Sequence, residues 1–507
     1  MSAVPLLSTR YLPFTDTPEH TAAMATLARL MPGGGGAPYE VALGKSQYLL
    51  FHMAGAIVTR VVGDAVLANT ALLVLVAFMW PISSRSLLRA LGRDERLAIF
   101  AGMVFWNRAT ATGLEPYIAS VPLLLFCIAT FVRQLERPAA WRAAVVAVLA
   151  LALFYMHASS FLLFAIIAGA FVGASWRGVA RDPPARAAAL RRTLVAAASL
   201  APSVLAALVW VRVGVLKTSG SGAIERMPVF DALAAEPIWT FDTWRSHVDE
   251  VSAALWWIAY GAIVVTSWRE RPTDRREWQA WLPFGCALAM YIVIPTRIGD
   301  ASMLNVRLAP VLTLFALLGL RIGQHRLARV PLALAALATA LDAGDAIFEM
   351  RRVEREMAGD FDEILAAMRP GTGVALLNFE KASLRTHHWP YPFAGAYHVA
   401  RGGTVASFSF AELPHWSVYY APNRAPPAHA PFWAFDPCQY RFVEDGAFYD
   451  YVLVQGDVAR FEAGYGIGPP FKPIARTATF TLYEKTASGL AGLGDARDIG
   501  PCAREIR

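Results

Sequence analysis

Charged residues are scarce in this sequence. Asp, Glu, Lys and Arg make up 17% of its 507 residues, against roughly 25% in an average soluble domain. The deficit is concentrated between residues 65 and 347, where one apolar run follows another. This composition excludes an ordinary soluble domain and predicts a polytopic membrane protein. The formal charge of +7 does not indicate nucleic-acid binding, because most arginines stand in short loops between the apolar runs.

Cysteine is scarce as well. The sequence has four cysteines and neither a CxxC nor a Cys/His metal pattern. Cys127 and Cys286 lie in apolar runs and are predicted to be packing residues. Cys438 and Cys502 lie in the C-terminal region, where they could form a disulfide if that region is extracytoplasmic. The sequence therefore indicates no cofactor with certainty, and it leaves a divalent cation open.

An acidic stretch near the N-terminus stands apart from the apolar runs. The sequence YLPFTDTPEH at 11–20 brings Asp16, Glu19 and His20 within five residues. Asp16 is suited to cap a helix that begins near Pro18, with Glu19 in the first turn of that helix. An acidic loop at the face of a membrane bundle is a candidate reaction centre.

Ten apolar segments are predicted to span the membrane. Their limits are loose, because several are shorter than about 20 residues. Residues 48–62 form a shorter apolar helix that carries His52 and Arg60, and we expect it to lie at the membrane interface. The predicted spans cover approximately residues 65–82, 96–111, 116–132, 142–156, 158–176, 193–213, 251–267, 279–295, 308–320 and 329–347.

Basic residues are distributed unequally over the loops between these spans. The positive-inside rule places the arginine-rich loops in the cytoplasm. The acidic N-terminal loop, the long loop 214–250 and the C-terminal region then face outside. The arginine-rich set holds nineteen residues: Arg85, Arg89, Arg93, Arg96, Arg133, Arg137, Arg142, Arg177, Arg181, Arg186, Arg191, Arg192, Arg269, Arg271, Arg275, Arg276, Arg321, Arg326 and Arg329. The opposite set holds seven: Arg108, Arg212, Lys217, Arg226, Arg245, Arg297 and Arg307.

Beyond residue 347 the composition changes to that of a small α/β domain. An amphipathic helix is predicted over 348–368, followed by three strands. The sequence thus predicts an extracytoplasmic acidic loop with interfacial helices over 1–64, a transmembrane helical domain over 65–347, and an extracytoplasmic α/β domain over 348–507. The predicted strands are Val374–Asn378, Tyr451–Gln455 and Thr477–Glu484.

Three short motifs resemble the GT-C superfamily of integral-membrane glycosyltransferases, in particular a bacterial branch that uses polyprenyl-phosphate sugars and includes galacturonic-acid and mannosyl transferases. The first motif is DTPEH at 16–20. The second joins FWNR at 105–108 to GLEPYIASVP at 113–122. The third is NVRLAP at 305–310. The resemblance implies a mainly α-helical, polytopic bundle of about ten spans with a C-terminal extracytoplasmic α/β domain. The family's first span precedes the acidic loop and is expected to be missing here, since residues 1–9 supply neither a span nor a cleavable signal peptide.

The resemblance also implies an activity. A hexosyl or uronosyl group would pass from a polyprenyl-phosphate donor to an extracytoplasmic glycan, lipid or protein acceptor at the bacterial inner membrane. The reaction needs a carboxylate to take the acceptor's proton and cations to stabilise the departing phosphate. Asp16 is the candidate base, Glu19 a second catalytic candidate, and Arg307 the candidate partner of the donor phosphate. The other candidate substrate-binding residues are His20, Arg108, Glu115, His157 and Arg297.

The acidic candidates also have plainer interpretations. Asp16 fits an N-cap, and Glu19 fits a first-turn acid that complements the helix dipole. Asp342 and Asp345, near the outer end of the last predicted span, are expected to lie close to a loop rather than buried.

The basic candidates have alternatives too. Arg297 and Arg307 could extend to lipid head groups. Arg108 could pair with Glu115 across a short turn, and His157 could be structural in the tight turn between two spans.

Two other functions compete with glycosyl transfer. A transporter or lipid flippase usually places ionisable groups near the bilayer middle, and the predicted spans hold almost none there. A non-catalytic membrane scaffold with a glycan-binding C-terminal domain would share the fold and tolerate loss of Asp16.

Overall fold

Long apolar helices predominate in the computed structural model. The structure describes residues 1–31, 38–41, 46–177, 179, 183–215, 224–269, 277–299, 301–323, 327, 329–380, 382–413, 416–426, 436–441, 445–463 and 471–486. The helices are α1 (Thr17–Leu30), α2 (Leu49–Val62), α3 (Ala65–Ala90), α4 (Ala101–Val104), α5 (Arg108–Ala111), α6 (Glu115–Glu136), α7 (Ala140–Met156), α8 (Ala158–Ser175), α9 (Pro183–Trp210), α10 (Val229–Phe241), α11 (His247–Arg269), α12 (Leu282–Val293), α13 (Ala309–Ala316), α14 (Arg329–Val353), α15 (Phe361–Ala367), α16 (Ala396–Ala400) and α17 (Val458–Ala463). The strands are β1 (Tyr39–Val41), β2 (Ile224–Glu225), β3 (Arg297–Ile298), β4 (Val374–Asn378), β5 (Val418–Tyr420), β6 (Tyr451–Gln455), β7 (Phe471–Arg476) and β8 (Phe480–Lys485).

Within the described ranges, six helices are long and apolar enough to cross a membrane. They coincide with six of the ten predicted spans, and the other four predicted spans are shorter or interrupted. A mainly helical, polytopic membrane fold with a small sheet region towards the C-terminus is thereby confirmed. The six helices are α3, α6, α8, α9, α11 and α14.

The predicted span 96–111 is interrupted for a local reason. Its helical pieces are the 3-10 helix Glu95–Phe100, α4 and α5. The side chain of Asn107 donates to the carbonyl oxygens of Val104 and Phe105, and its oxygen accepts from the first N–H groups of α5. One asparagine therefore ends one helix and begins the next.

The chain divides into two units. The membrane unit comprises residues 1–5, 44–51 and 73–347, and the sheet unit comprises residues 6–43, 52–72 and 348–507. The N-terminal acidic stretch and α1 therefore belong to the sheet unit.

Buried tryptophans stabilise the membrane unit. The indole nitrogen of Trp80 donates to Ile118 O, and that of Trp256 donates to Phe100 O. Trp106 donates in the same way to Ser2 O. Each ring fills apolar space between helices while its single polar group keeps a partner, which a low-dielectric interior requires.

The long segment between α9 and α11 contains a helix that sequence reasoning did not predict. Helix α10 packs against α13. The side-chain Oε1 of Glu236 in α10 accepts from Thr313 Oγ1 in α13 at 2.5 Å and from Thr240 Oγ1 at 3.3 Å. These bonds keep a carboxylate of α10 against the neighbouring helix. The short strand β2, which precedes α10, pairs antiparallel with β3, which follows α12.

The sheet unit contains a four-stranded sheet with the order β4-β6-β8-β7. Strands β4 and β6 are parallel and wholly buried, as their continuous apolar sequences predict. Strand β8 is antiparallel to both β6 and β7. Strand β7 escaped prediction because it lies at the edge, is mostly exposed, and contains Pro473 beside an irregularity in its pairing.

The cysteines differ in state between the two units. Cys127 and Cys286 in the membrane unit are free thiols, and Cys438 in the sheet unit is disulfide-bonded. Cys502 and the glycine turn after α1 lie outside the described residues.

Candidate functional site

Arg307 stands at a break between helices of the membrane unit. Asn305 caps the 3-10 turn Val306–Leu308 by accepting from Val306 N at 3.0 Å. Pro310 then starts α13, where the missing N–H of proline costs nothing. This local sequence holds Arg307 at the start of a helix, where the residue is half-buried rather than exposed.

The guanidinium group of Arg307 is held at two of its three nitrogens. Nη1 donates to His157 Nε2 at 3.1 Å, and Nη2 donates to Ser302 O at 3.2 Å. The phenol of Tyr117 donates to the backbone oxygen of Arg307. Nε is buried and has no acceptor among the described residues. Two hydrogen bonds therefore hold the guanidinium of Arg307, while its buried Nε–H has no acceptor among the described residues.

His157 links α7 to α8 and has a defined tautomer. Arginine has only donors, so His157 Nε2 must accept and the imidazole must be neutral. The ring proton then lies on Nδ1, from which it is donated to Ser159 Oγ at 2.7 Å. The ring stacks on Tyr48 at a centroid distance of 5.3 Å and meets the ring of Tyr117 edge-on at 5.2 Å. His157 thus contacts Arg307 as a neutral acceptor.

Arg108 lies on an element next to the Arg307 turn. It begins α5, which packs against Val306–Leu308. Asp242 and Arg245 lie close enough to interact with it electrostatically. Glu115, the other candidate in this turn, is buried at the start of α6. The sequence-predicted residues Arg108, His157 and Arg307 thus lie on packed elements of one unit.

Arg297 differs from Arg307 although both precede α13. It is exposed on β3 and pairs with Glu225 of β2, with 3.4 Å between Nη1 and Oε1. Its Nε donates to Gly299 O at 2.8 Å. Arg297 is therefore the weaker candidate for a phosphate.

In the sheet unit, Asp16 immediately precedes α1. Its backbone oxygen accepts from the N–H groups of Glu19 and His20. Its side chain makes no capping hydrogen bond and is half-buried. The N-cap interpretation therefore does not account for this carboxylate.

Glu19 is in a different environment from Asp16. Only 1% of its surface is exposed, and Oε2 accepts from Phe410 N at 2.9 Å and from Ser409 Oγ at 3.3 Å. Burial raises the pKa of Glu19 to about 8, although the two hydrogen bonds oppose that change. The structure thus places Glu19 as an anchor between α1 and the segment around residue 410.

His20 belongs to a buried chain of hydrogen bonds. Its Nδ1 lies 2.9 Å from His52 Nε2, and His52 Nδ1 lies 2.7 Å from Ser417 Oγ. Both imidazoles pack against the ring of Trp416. His20 therefore fixes the first turn of α1 within the sheet unit. The sequence showed a histidine in the apolar helix α2, but nothing in the local pattern identified its partner.

The burial of Asp342 and Asp345 in the membrane unit corrects an expectation, and Asp249 is buried as well. Asp342 and Asp345 were expected to lie close to a loop, but they are 1% and 6% exposed. Asp249 is 1% exposed, and its Oδ2 accepts two backbone N–H groups at 2.8 and 2.9 Å. Asp345 accepts from Ser246 Oγ at 2.5 Å. The expectation was wrong because α14 continues to Val353, so both residues lie inside a helix with packed neighbours.

In the part of the chain that the structure describes, no group of three His, Cys, Asp or Glu side chains is arranged to hold a metal ion.

The long apolar helices and the small sheet unit together define a polytopic helical membrane protein with a small sheet region. The crystal structure of ArnT from Cupriavidus metallidurans in the apo state is similar over 96% of this chain and 96% of that chain, with a TM-score of 0.57 and 12% sequence identity. ArnT is a GT-C glycosyltransferase, a 4-amino-4-deoxy-L-arabinose transferase. The likeness confirms the expected fold, a mainly helical membrane fold like that of ArnT. No family model matches the chain, and no curated protein matches its sequence.

Proposed function

We propose that this protein transfers a hexosyl or uronosyl group from a polyprenyl-phosphate donor to an extracytoplasmic glycan, lipid or protein acceptor. The observation that carries the proposal is Arg307, a guanidinium fixed at two nitrogens with its Nε–H left without an acceptor among the described residues. The protein would act in the bacterial inner membrane, with the sheet unit on the extracytoplasmic side.

Arg307 is proposed to bind the donor phosphate. A phosphate oxygen would accept from Nε, and a second would share Nη2, which gives the two parallel hydrogen bonds that arginine forms with phosphates. The preceding helix break and the contact with His157 pre-organise the side chain, so little entropy is lost on binding. Arg108 would add a second positive charge, and the polyprenyl tail would remain in the bilayer.

Asp16 is proposed to be the base. The acceptor hydroxyl oxygen would form a bond to the anomeric carbon while the bond from that carbon to the phosphate oxygen breaks. The hydroxyl proton would pass to Asp16, and the bonding electron pair would leave with the phosphate. A half-buried carboxylate without a capping bond is suited to this role.

Glu19 and His20 are proposed to support Asp16. Glu19 is buried and accepts from Phe410 N, and His20 is hydrogen-bonded to His52. Both anchor the first turn of α1, which begins next to Asp16.

The donor proposal can be tested by binding. The probe is the methyl ester of undecaprenyl phosphate in nanodiscs, a phosphodiester like the donor. Arg307→Ala should weaken binding roughly tenfold to hundredfold, because hydrogen bonds to charged groups contribute about 1.5–3 kcal/mol. Arg307→Lys should recover only part of the affinity. The matched control is Arg96→Ala, since Arg96 is exposed and pairs with Asp94. Equal affinity in the wild type and Arg307→Ala would remove the phosphate role.

A second candidate function is transport or lipid flipping. The observation that favours it is the group of buried aspartates in α11 and α14, because ionisable groups within spans often line a transport path. Movement of a labelled lipid across proteoliposomes without sugar transfer, abolished by Asp342→Asn, would favour this function. A lack of flux together with sugar transfer would exclude it.

A further inference from the structure

We propose that His157 is a positioning residue that holds Arg307 only while its imidazole is neutral. Donor-phosphate binding would then weaken as His157 takes up a proton. This inference rests on the proposed role of Arg307. It adds that the protonation state of His157 controls phosphate binding at the same site.

The directions of the hydrogen bonds carry the argument. Arg307 Nη1 can only donate, so His157 Nε2 at 3.1 Å must accept. Ser159 Oγ at 2.7 Å from Nδ1 takes the ring proton. A second ring proton would have to lie on Nε2, where it would point at the N–H of the arginine. The contact would change from one donor facing one acceptor to two donors and two positive charges facing each other.

The surroundings prevent the ring from turning away. His157 is 4% exposed, with Tyr48 stacked on one face and Tyr117 against its edge. The next residue is also tied down, because Ala158 N donates to Gln47 Oε1 at 3.2 Å. The imidazole is therefore enclosed, and a new charge on it would act mainly on Arg307.

The charged groups on the neighbouring elements are few. Helix α6 packs against both α7 and α8 and brings Glu115 in its first turn. Helix α5 brings Arg108, which lies beside the Arg307 turn. Helix α12, which packs against α8, brings no charged residue. The cytoplasmic ends of α6, α7 and α9 carry arginines such as Arg133, Arg142 and Arg191, at the ends opposite to His157. Among these charged groups, Arg307 is in hydrogen-bond contact with His157.

A solvated imidazole titrates between about pH 5 and pH 8, and burial or a facing cation shifts its protonation to lower pH. Across that range the guanidinium keeps its charge, and a phosphodiester also keeps a single negative charge. The methyl ester of undecaprenyl phosphate therefore avoids the second ionisation, near pH 6, that a phosphate monoester would add. Any loss of affinity towards low pH then arises from the protein.

Three variants distinguish a role of His157 in positioning Arg307 from a role in packing alone. Glutamine at position 157 can accept from Arg307 through its side-chain oxygen but does not titrate. Leucine fills the space without an acceptor. Tyr117→Phe removes a different hydrogen bond to Arg307 and leaves His157 unchanged.

Binding of the phosphodiester probe in nanodiscs would be measured from about pH 4 to about pH 8 with the full-length protein, because burial and a facing cation shift protonation of an imidazole to lower pH. For the wild type we expect a loss of tenfold or more on acidification. His157→Gln should bind more tightly than His157→Leu and show a flat profile, and Tyr117→Phe should keep the wild-type slope. His157→Asn provides a second non-titrating variant if His157→Gln does not fold.

The outcomes distinguish the two proposals. If the wild type and His157→Gln lose affinity equally on acidification, the positioning role of His157 is wrong while the phosphate role of Arg307 stands. If the wild type does not bind the probe at any pH, the proposed donor site itself is wrong, and the inference about His157 is wrong with it.

Discussion

The two units use histidine in different ways. In the membrane unit His157 meets an arginine, which can only donate, so the imidazole has one tautomer and a fixed role as acceptor. In the sheet unit His20 meets a second histidine at 2.9 Å, and either ring can donate. A partner that can only donate therefore fixes the tautomer of His157. The contact between His20 and His52 is compatible with either ring as the donor.

The acidic groups show a matching contrast. In the sheet unit Asp16 is half-buried and Glu19, three residues later, is fully enclosed. In the membrane unit the aspartates of α11 and α14 are enclosed alike. Neighbouring carboxylates of the sheet unit therefore differ in burial, whereas those of the membrane unit do not.

The largest effect is expected from Asp16→Asn. Removing a general base typically costs about 10²- to 10⁴-fold in rate. Sugar transfer by cells or proteoliposomes should fall by that factor, while the amount of protein in the membrane stays the same. Asp360→Asn is the matched control, because Asp360 is an exposed aspartate that also precedes a helix of the sheet unit without a side-chain capping bond. Full transfer by Asp16→Asn would show that this carboxylate is not the base.

Glu19→Gln should change stability with pH rather than chemistry. Burial raises the pKa of Glu19 from 4.5 to about 8 in the folded protein. The stability that this carboxyl contributes is therefore full below about pH 4.5 and is lost as the pH rises through about 8. Each pKa unit corresponds to about 1.4 kcal/mol, so several kcal/mol are involved.

The measurement is thermal unfolding of the purified protein between pH 5 and pH 8.5. The wild type should lose Tm towards high pH, and Glu19→Gln should lose much less. Glu19→Ala should be less stable than the wild type at pH 5 by about 1–3 kcal/mol, because Phe410 N loses its acceptor. Parallel curves for the wild type and Glu19→Gln would contradict the raised pKa.

Much of the fold could be predicted because it follows from local sequence. Apolar runs of sufficient length gave the six long helices, and continuous apolar strands gave β4 and β6. The interruption near Asn107 could not be predicted, since one side chain there competes successfully with the helix for backbone hydrogen bonds. Helix α10 was missed because its surroundings in the sequence look like a loop.

The candidate site was only partly predictable. Arg307 and Asp16 were identified because each is a charged residue beside an apolar or helical segment. The contacts between distant residues were not predicted, because His157 and Arg307 are 150 residues apart and His52 and Ser417 are 365 apart. Periodicity describes one element at a time, so it gives no information about which ends meet. The burial of Asp342 and Asp345 was mispredicted because the sequence does not show which neighbouring elements pack against α14.

The smallest effect is expected from Arg297→Ala, which sharpens the contrast between the two arginines that precede α13. Arg297 is exposed and paired with Glu225 at 3.4 Å, and an exposed ion pair contributes only about 0–1 kcal/mol. Binding of the phosphodiester probe should therefore change less than about threefold, and Tm should hardly move. Raising the salt concentration should reduce even this difference, because exposed charges are screened over roughly 10 Å at 0.1 M. A loss as large as that of Arg307→Ala would mean that Arg297 leaves Glu225 to bind phosphate, and the exposed arginine would then share the role assigned to the half-buried one.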